Sequence, residues 1–559
     1  MGKKILVIGG VAAGATAAAK ARRTDETAEI TILEKNGYVS FANCGIPYYI
    51  GNVIKSRNSL LLQNAKSLKK RYNIDVYTNT EAIRIDPDKK IVFAKNNRDE
   101  NLTFNYDKLI LCNGAKTIIP QIEGISEIDY FTVRSIEDMD KIKDFIEDHK
   151  PESACVIGAG YIGIETSEAL MHCGLKVTVV EALPHILPTF SPEVSLKIYE
   201  KMSSCGITLK TETKIVKAYK QDNKIILLSE KGESFTTDLL IIATGVKPDV
   251  ELAKTAGLEI GLAGGVMVNS RMETSVADIY AAGDLVEKKD VITGNYILAP
   301  LAGPANREGR VAGCNAAGGN LEYKGTLRTA IVSFENACCA QTGLSHKEAI
   351  KYGFDASFTY TEDPNHVEYY PDPKYIFIKL IFDRKTGKIL GAEASGENGV
   401  ERRIDVISTA IFAGLTVYDL GEIDFCYSPP YGAAKDPVNI SGLVATNFIN
   451  GSSLITPQQF LEIYSSELQI LDVRTRIEFK SYRVKNARNI YVNDLRESIP
   501  ELDKNRPVYI YCAVGYRGYV ATKLLRSYGF DAYNISGGIE AIKRTAKIKS
   551  MEVIDAGNS

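Results

Sequence analysis

The hexapeptide Gly158-Ala159-Gly160-Tyr161-Ile162-Gly163 constrains this chain more than any other feature. An apolar run, Ala154 to Ile157, reads as a strand before it. A helical stretch follows, and then a second apolar run, Lys176 to Val180, ends at an acid, Glu181, 18 residues past the last glycine. Glycines at this spacing turn the chain tightly, let backbone N–H groups approach a pyrophosphate at a helix N-terminus, and pack the helix close to its strand, while the acid accepts ribose hydroxyls. The opening of the chain repeats the pattern: Lys4 to Ile8, the turn Gly9-Gly10-Val11-Ala12-Ala13-Gly14, a helix through Arg23, and Glu29 to Leu33 before Glu34. Val11 stands where the second glycine is expected. Two such units imply two bound dinucleotides, one on Gly9, Gly10, Gly14 and Glu34, the other on Gly158, Gly160, Gly163 and Glu181. Two more apolar strands run into glycine, at Tyr106 to Ala115 with Gly114 and at Asp238 to Gly245, and Ile279 to Asp284 repeats the pattern with an acid at its end.

A length of 559 residues calls for several cores. The 67 basic and 69 acidic side chains leave a net charge of -2, which gives no pull toward nucleic acid or an anionic membrane. No apolar run approaches a membrane span. Ten cysteines are too few for a disulfide scaffold, and none stand in a C-x-x-C pair, so neither zinc nor an iron–sulfur cluster is expected and a reducing cytoplasm fits best. Lys3 and Lys4 before an alanine-rich stretch have the outline of a secretion signal. The stretch lacks the large apolar residues of one, and removing it would delete a strand the fold needs.

In order and spacing these motifs resemble the two-dinucleotide flavoprotein disulfide reductases over residues 1–450. The resemblance implies FAD on the first unit and NAD(P)H on the second, with Gly114 on the FAD side, Gly245 on the NAD side, and Asp284 at the ribityl-phosphate region of the flavin. It implies an FAD-binding domain over 1–115 and 245–325, an NAD(H)-binding domain over 116–244 and an α+β dimerisation domain over 326–450. The first Ala-Thr-Gly of that family is Cys112-Asn113-Gly114 here, a departure beside the flavin.

The redox residue expected is Cys44, in Ser40-Phe41-Ala42-Asn43-Cys44-Gly45-Ile46-Pro47-Tyr48-Tyr49, where a turn precedes a short helix. A thiol at a helix N-terminus ionises more easily, and the thiolate is the reactive form. Cys155 and Cys173, on an apolar strand and helix, suit a core. The nearest other cysteine, Cys112, lies 68 positions away. The second sulfur must therefore come from a ligand, or the oxidised state is a sulfenic acid. The second alternative is that of the NADH peroxidases and oxidases, which carry a histidine in the first glycine turn; here all five histidines lie at 149 or later.

Taken together, the first glycine turn and the Ser40–Tyr49 string resemble the coenzyme A disulfide reductases, in which the cysteine forms a mixed disulfide with CoA. The resemblance makes Arg23, Ser40 and Asn43 CoA contacts. A polyanionic substrate also suits the basic residues Lys20, Arg22 and Arg23 at the end of the first helix and Lys66, Lys69, Lys70 and Arg71 further on, of which Lys20, Lys70 and Arg71 are the further expected contacts. Two tyrosine-rich strings, 366–371 and 426–431, match regions that in the family reach the partner protomer's active site, so a homodimer is implied. Tyr369 and Tyr427 are the expected acids, with Tyr370 and Tyr431 as neighbours, provided burial or charge tunes the phenol. Nicotinamide choice follows from Glu181, whose carboxylate would repel a 2′-phosphate and is followed by Ala182-Leu183-Pro184-His185 without an arginine, so NADH is expected over NADPH.

After a short Gly451-Ser452-Ser453 link, a new α/β alternation begins. The strand Val508 to Tyr511 ends in Cys512-Ala513-Val514-Gly515-Tyr516-Arg517 before a helix, a loop whose N–H groups converge on the sulfur and stabilise a thiolate or persulfide. With Ser536-Gly537-Gly538 this segment, 455–559, resembles a rhodanese domain with Cys512 catalytic and Arg517 as the substrate-binding residue of its loop. Tyr482-Arg483-Val484 replaces the usual Gly-His-Ile. The expected whole is α/β: two Rossmann-like domains, a dimerisation domain and a rhodanese-like domain. The fusion implies an NADH- and FAD-dependent reductase of CoA disulfide, CoA persulfide or polysulfide. The alternatives are an NADH peroxidase or oxidase and a redox-sensing sulfur carrier.

Overall fold

After Lys4 the strand Lys4–Ile8 is apolar because it is buried on both faces: Ile5, Leu6, Val7 and Ile8 are all core residues. It forms the middle of a five-stranded parallel sheet ordered Ile279–Ala281, Lys108–Leu111, Lys4–Ile8, Glu29–Leu33, Ile74–Tyr77. A second parallel sheet is ordered Thr208–Lys210, Lys176–Val180, Ser153–Ile157, Leu239–Ile242. In each case a three-stranded antiparallel sheet precedes the strand that runs into glycine, Thr80–Asn105 in one and Ile215–Thr237 in the other. The computed structural model describes residues 2–556. The described chain divides into two compact units, one running to Leu187 and again from Met202 to Arg328, the other taking Pro188–Lys201 and the chain from Thr329 onward.

The alanine-rich stretch near the N-terminus is the helix Ala12–Thr24, with Ala13, Ala17, Ala18 and Ala21 buried. Its composition has a packing reason. A Cβ added at Gly309 or Gly313, on the helix Ala302–Ala316, would lie 2.2 Å from the Ala13 carbonyl oxygen or 2.1 Å from that of Ala17. The two helices meet at backbone distance, which only small residues permit.

In the second unit five antiparallel strands are ordered Ala330–Phe334, Ala337–Gly343, Ile389–Gly396, Tyr375–Asp383, Ala356–Pro364, with helices Val400–Ala413 and Pro437–Ile449 packed on the sheet. The final segment is a parallel sheet ordered Leu454–Ile455, Ala532–Ile535, Val508–Tyr511, Gln469–Asp472, Arg488–Asn489. The Gly451-Ser452-Ser453 link is tied at both ends: Ser452 N donates to Asn447 O, and Asn534 N donates to Ser453 O. The two sheets are also joined directly, since Tyr360 N donates to Ser536 Oγ at 2.8 Å and Arg544 pairs with Glu362 at 3.0 Å.

Candidate active site

The two glycine turns fold alike. Gly9 N donates to Leu33 O and Gly158 N to Val180 O, each at 2.8 Å. Gly10 N donates to Glu34 Oε2 and Ala159 N to Glu181 Oε2, again each at 2.8 Å. Gly9 and Gly158 have φ of 93° and 105°, the left-handed region a tight turn needs. A Cβ on Gly14 or Gly163 would fall 1.8 or 2.0 Å from the carbonyl oxygen of Gly9 or Gly158, so each helix starts hard against its strand. The space beside Gly160 is open to 4 Å. Neither Ala12–Thr24 nor Tyr161–His172 has a side-chain N-cap, which leaves the first-turn N–H groups for a pyrophosphate.

Glu34 and Glu181 each accept a second backbone N–H, from Asn36 and Leu183 at 2.9 Å, which fixes both carboxylates at their strand ends. Each oxygen still has lone-pair capacity for a ribose hydroxyl. Burial raises the Glu34 pKa. Gly114 and Gly245 have φ of 72° and 101°, with open space beside Gly245. The Gly283-Asp284 turn rests on a buried pair that sequence reasoning missed: Glu308 Oε2 accepts from Gly283 N at 2.9 Å, Lys288 Nζ donates to Gly283 O at 2.6 Å, and the two side chains lie 3.3 Å apart. Burial raises Asp284, against Lys288 and Arg134. Asn113 Oδ1 and Glu308 Oε1 are buried without a partner on these segments. An uncapped helix, a glycine cradle and two orphaned polar oxygens are features that a dinucleotide such as FAD fits.

Cys44 lies in the 3₁₀ turn Asn43–Gly45, just before the helix Ile46–Ile50. The segment is stitched to the first glycine turn, since Ser40 N donates to Gly10 O at 2.8 Å. Ser40 has φ of 48°, an uncommon conformation for a residue with a Cβ, and its carbonyl accepts from Leu62 N. Cys44 and Asn43 are exposed, with Cys44 Sγ 3.8 Å from Asn43 Oδ1. The expectation that a helix N-terminus eases ionisation is corrected here. The surroundings withhold enough water to raise the Cys44 pKa, and the charges of Glu165 and Asp284 raise it further. A helix of five residues has too little dipole to offset them. Glu165 accepts from Tyr48 Oη at 3.4 Å, and burial pushes it up to about 7. It lies two residues past Gly163 in a run that reads only as helix.

Of the basic residues expected to face CoA, Arg23, Lys70 and Arg71 are exposed and Lys20 is half-buried. Arg23 Nε donates to Ala19 O of its own helix. Arg22, grouped with them from the sequence, is 3% exposed and structural: it donates to Tyr72 O, Asn73 O and Glu26 O. It thereby ties the end of Ala12–Thr24 to the end of Ala65–Tyr72, and so gathers the two basic clusters.

Tyr369 and Tyr427, 58 positions apart, meet Oη to Oη at 3.1 Å. Both are exposed, at 75% and 49%, and the hydrogen bond to Tyr427 raises Tyr369, so within this chain neither burial nor charge tunes the phenol downward. Their loops are clamped from one helix. Arg403 is buried against Asp436 at 2.8 Å and donates to Asn365 O, while Arg402 donates to Tyr431 O. Tyr370 and Tyr431 are exposed as well. An Arg-Arg pair beside the apolar face formed by Val400, Ile404, Ile407 and Ile411 was the sequence signal for this clamp.

Cys512 is 1% exposed at the end of its strand, and Gly515 N donates to its Sγ at 3.1 Å. Gly538 closes the loop from below; a Cβ there would lie 2.5 Å from Cys512 O. Arg517 is paired with Glu478. Where Gly-His-Ile was expected, Tyr482–Val484 is a short strand paired with Ile554–Ala556, and Tyr482 O accepts from the buried Arg474.

The sequence matches the pyridine nucleotide-disulphide oxidoreductase family over residues 3–305, the dimerisation domain of that family over 329–436 and the rhodanese-like domain over 456–545. It is similar to the coenzyme A disulfide reductase of Staphylococcus haemolyticus, 34% identical over 79% of this chain and 99% of that one. A crystal structure of reduced Bacillus anthracis CoADR-RHD aligns with TM-score 0.95 and 38% identity, covering 98% of this chain and 99% of that one. The NAD-dependent persulfide reductase of A. fulgidus aligns with TM-score 0.90 and 36% identity, covering 96% and 99%. Among the described residues no helix is long and apolar enough to cross a membrane.

Proposed function

The chain belongs to the pyridine nucleotide-disulphide oxidoreductases, and from that premise we propose that it reduces CoA disulfide and CoA persulfide through Cys44 while Cys512 carries sulfane sulfur. One observation carries this reading. Cys44 is an accessible free thiol tied to a dinucleotide turn, and every cysteine among the described residues is free. Cys112, nearest in sequence, is held by burial well above the ordinary thiol range. The second sulfur therefore comes from the substrate.

Bound FAD and NADH supply the electron pair. The chain's own residues do the rest. The Cys44 thiolate attacks the substrate disulfide, one S–S bond breaks as another forms, and CoA thiolate leaves and takes up a proton. The buried Lys288–Glu308 pair holds the Gly283-Asp284 turn, and Glu34 and Glu181 fix the adenosine ends of the two dinucleotides. The Glu181 carboxylate favours NADH over NADPH, because it would repel a 2′-phosphate. Lys20, Arg23, Lys70 and Arg71 offer charge to the CoA phosphates, and Ser40 and Asn43 line the approach to Cys44. The exposed Tyr369–Tyr427 pair suits a homodimer in which each protomer presents its phenols to the partner's disulfide.

The test is a pair of variants. Cys44→Ser abolishes NADH oxidation with CoA disulfide and with CoA persulfide. Cys512→Ser leaves CoA disulfide reduction intact and abolishes sulfur transfer. Loss of CoA disulfide reduction in a folded, FAD-loaded Cys512→Ser protein would place Cys512 in the electron path and overturn the division.

A further inference from the structure

The cation of the Cys512 loop is shared: Arg517 faces the Cys512 sulfur and is also paired with Glu478. From Cys512 to Arg517 the loop holds one charged side chain, Arg517. Glu478 grips its guanidinium at two points, Nη1 to Oε2 at 2.8 Å and Nη2 to Oε1 at 2.6 Å. The pairing holds Glu478 ionised, with a pKa of about 2. Glu478 is fixed in turn, since its Oε2 accepts from the N–H and hydroxyl of Thr475 in the capping box of Arg476–Ser481. A second nearby cation, Arg474, is buried and closed onto Asp472 at 2.7 Å. The loop's one cation, beside the Cys512 sulfur, is thus balanced by the Glu478 carboxylate before a donor arrives.

We propose that Glu478 is a specificity-determining residue of this loop: by neutralising Arg517 it disfavours thiosulfate, a compact ion that brings two negative charges into the pocket, and leaves the cradle suited to thiol persulfides, whose reacting sulfurs carry at most one negative charge. The inference rests on the reading of Cys512 as a sulfane-sulfur carrier and adds its donor class. With a persulfide, the Cys512 thiolate attacks the outer sulfur of R–S–SH, the R–S bond to it breaks, Cys512–S–SH forms and RS⁻ leaves. With thiosulfate the same attack expels sulfite, and three negative charges must share the pocket before the bond breaks. No net oxidation occurs in either case.

The test uses the full-length protein, with transfer to cyanide measured from thiosulfate and from glutathione persulfide. The wild type is expected to favour the persulfide, and its thiosulfate turnover to rise with salt as repulsion is screened. Glu478→Gln keeps a capping oxygen for Thr475, frees Arg517, and should raise the thiosulfate-to-persulfide ratio of kcat/KM about tenfold at low salt. Glu478→Gln combined with Arg517→Gln should lose that gain. NADH-dependent CoA disulfide reduction serves as the folding readout. Equal use of the two donors by the wild type, salt-independent thiosulfate turnover, or an unchanged ratio in Glu478→Gln would overturn the proposal. Failure of both donors to load Cys512 would overturn the carrier reading, and this inference with it.

Discussion

Glu165 is the residue that most alters the chemistry expected of Cys44. Below pH 7 its carboxyl is largely neutral, because burial raises it to about 7, and above that pH its charge opposes the thiolate. Glu165→Gln should therefore quicken iodoacetamide alkylation of Cys44 by about threefold to tenfold above pH 7 and leave it nearly unchanged below pH 6. Equal pH profiles for the two proteins would remove Glu165 from the account. The places of Cys44, Glu34 and Glu181 in the fold were legible in the sequence because local patterns mark them: a turn before a short helix, and an acid at a strand end. Glu165 and Arg22 were not, because their roles depend on Tyr48 and on Tyr72, which only the fold brings to them.

Among the elements, the strand Ala356–Pro364 does the most joining. At its middle Tyr360 is buried; its N–H and C=O both bond Ser536 Oγ, and its phenol accepts from Gln458 at 2.9 Å. Ser536 begins the Gly537-Gly538 turn that lies under the Cys512 carbonyl. Ser536→Ala would leave two buried backbone groups without partners, at a cost of about 1–3 kcal/mol. A lower Tm and faster alkylation of Cys512, with CoA disulfide reduction retained, is the expected outcome. Beyond the strand's end, Arg403→Met should cost about 3 kcal/mol by removing the buried partner of Asp436, which keeps only Arg402 at 3.9 Å, and calorimetry would show it. The sequence marked Lys4–Ile8, Glu29–Leu33, Lys176–Val180 and Val508–Tyr511 at their observed bounds, because largely buried parallel strands leave short runs rich in apolar and β-branched residues. It could not show what Tyr360 touches, since a tyrosine in a strand reads the same whether it packs within its sheet or against another.

For the whole molecule, one chain joins two dinucleotide-binding halves to a dimerisation domain and a rhodanese-like domain, and the repeated glycine turn made the two halves legible from the start. The Gly451 link read as a spacer; in the fold its neighbours are hydrogen-bonded into the final sheet. An NADH peroxidase or oxidase would share the same halves, and the difference lies in what Cys44 holds when oxidised. The central claim, that CoA supplies the second sulfur, is tested most directly by peptide mass spectrometry of protein incubated anaerobically with CoA disulfide. The account predicts CoA attached to the Cys44 peptide, released as free thiol when NADH is added. A sulfenic acid on Cys44 with no CoA bound, or CoA attached to a different cysteine, would contradict it.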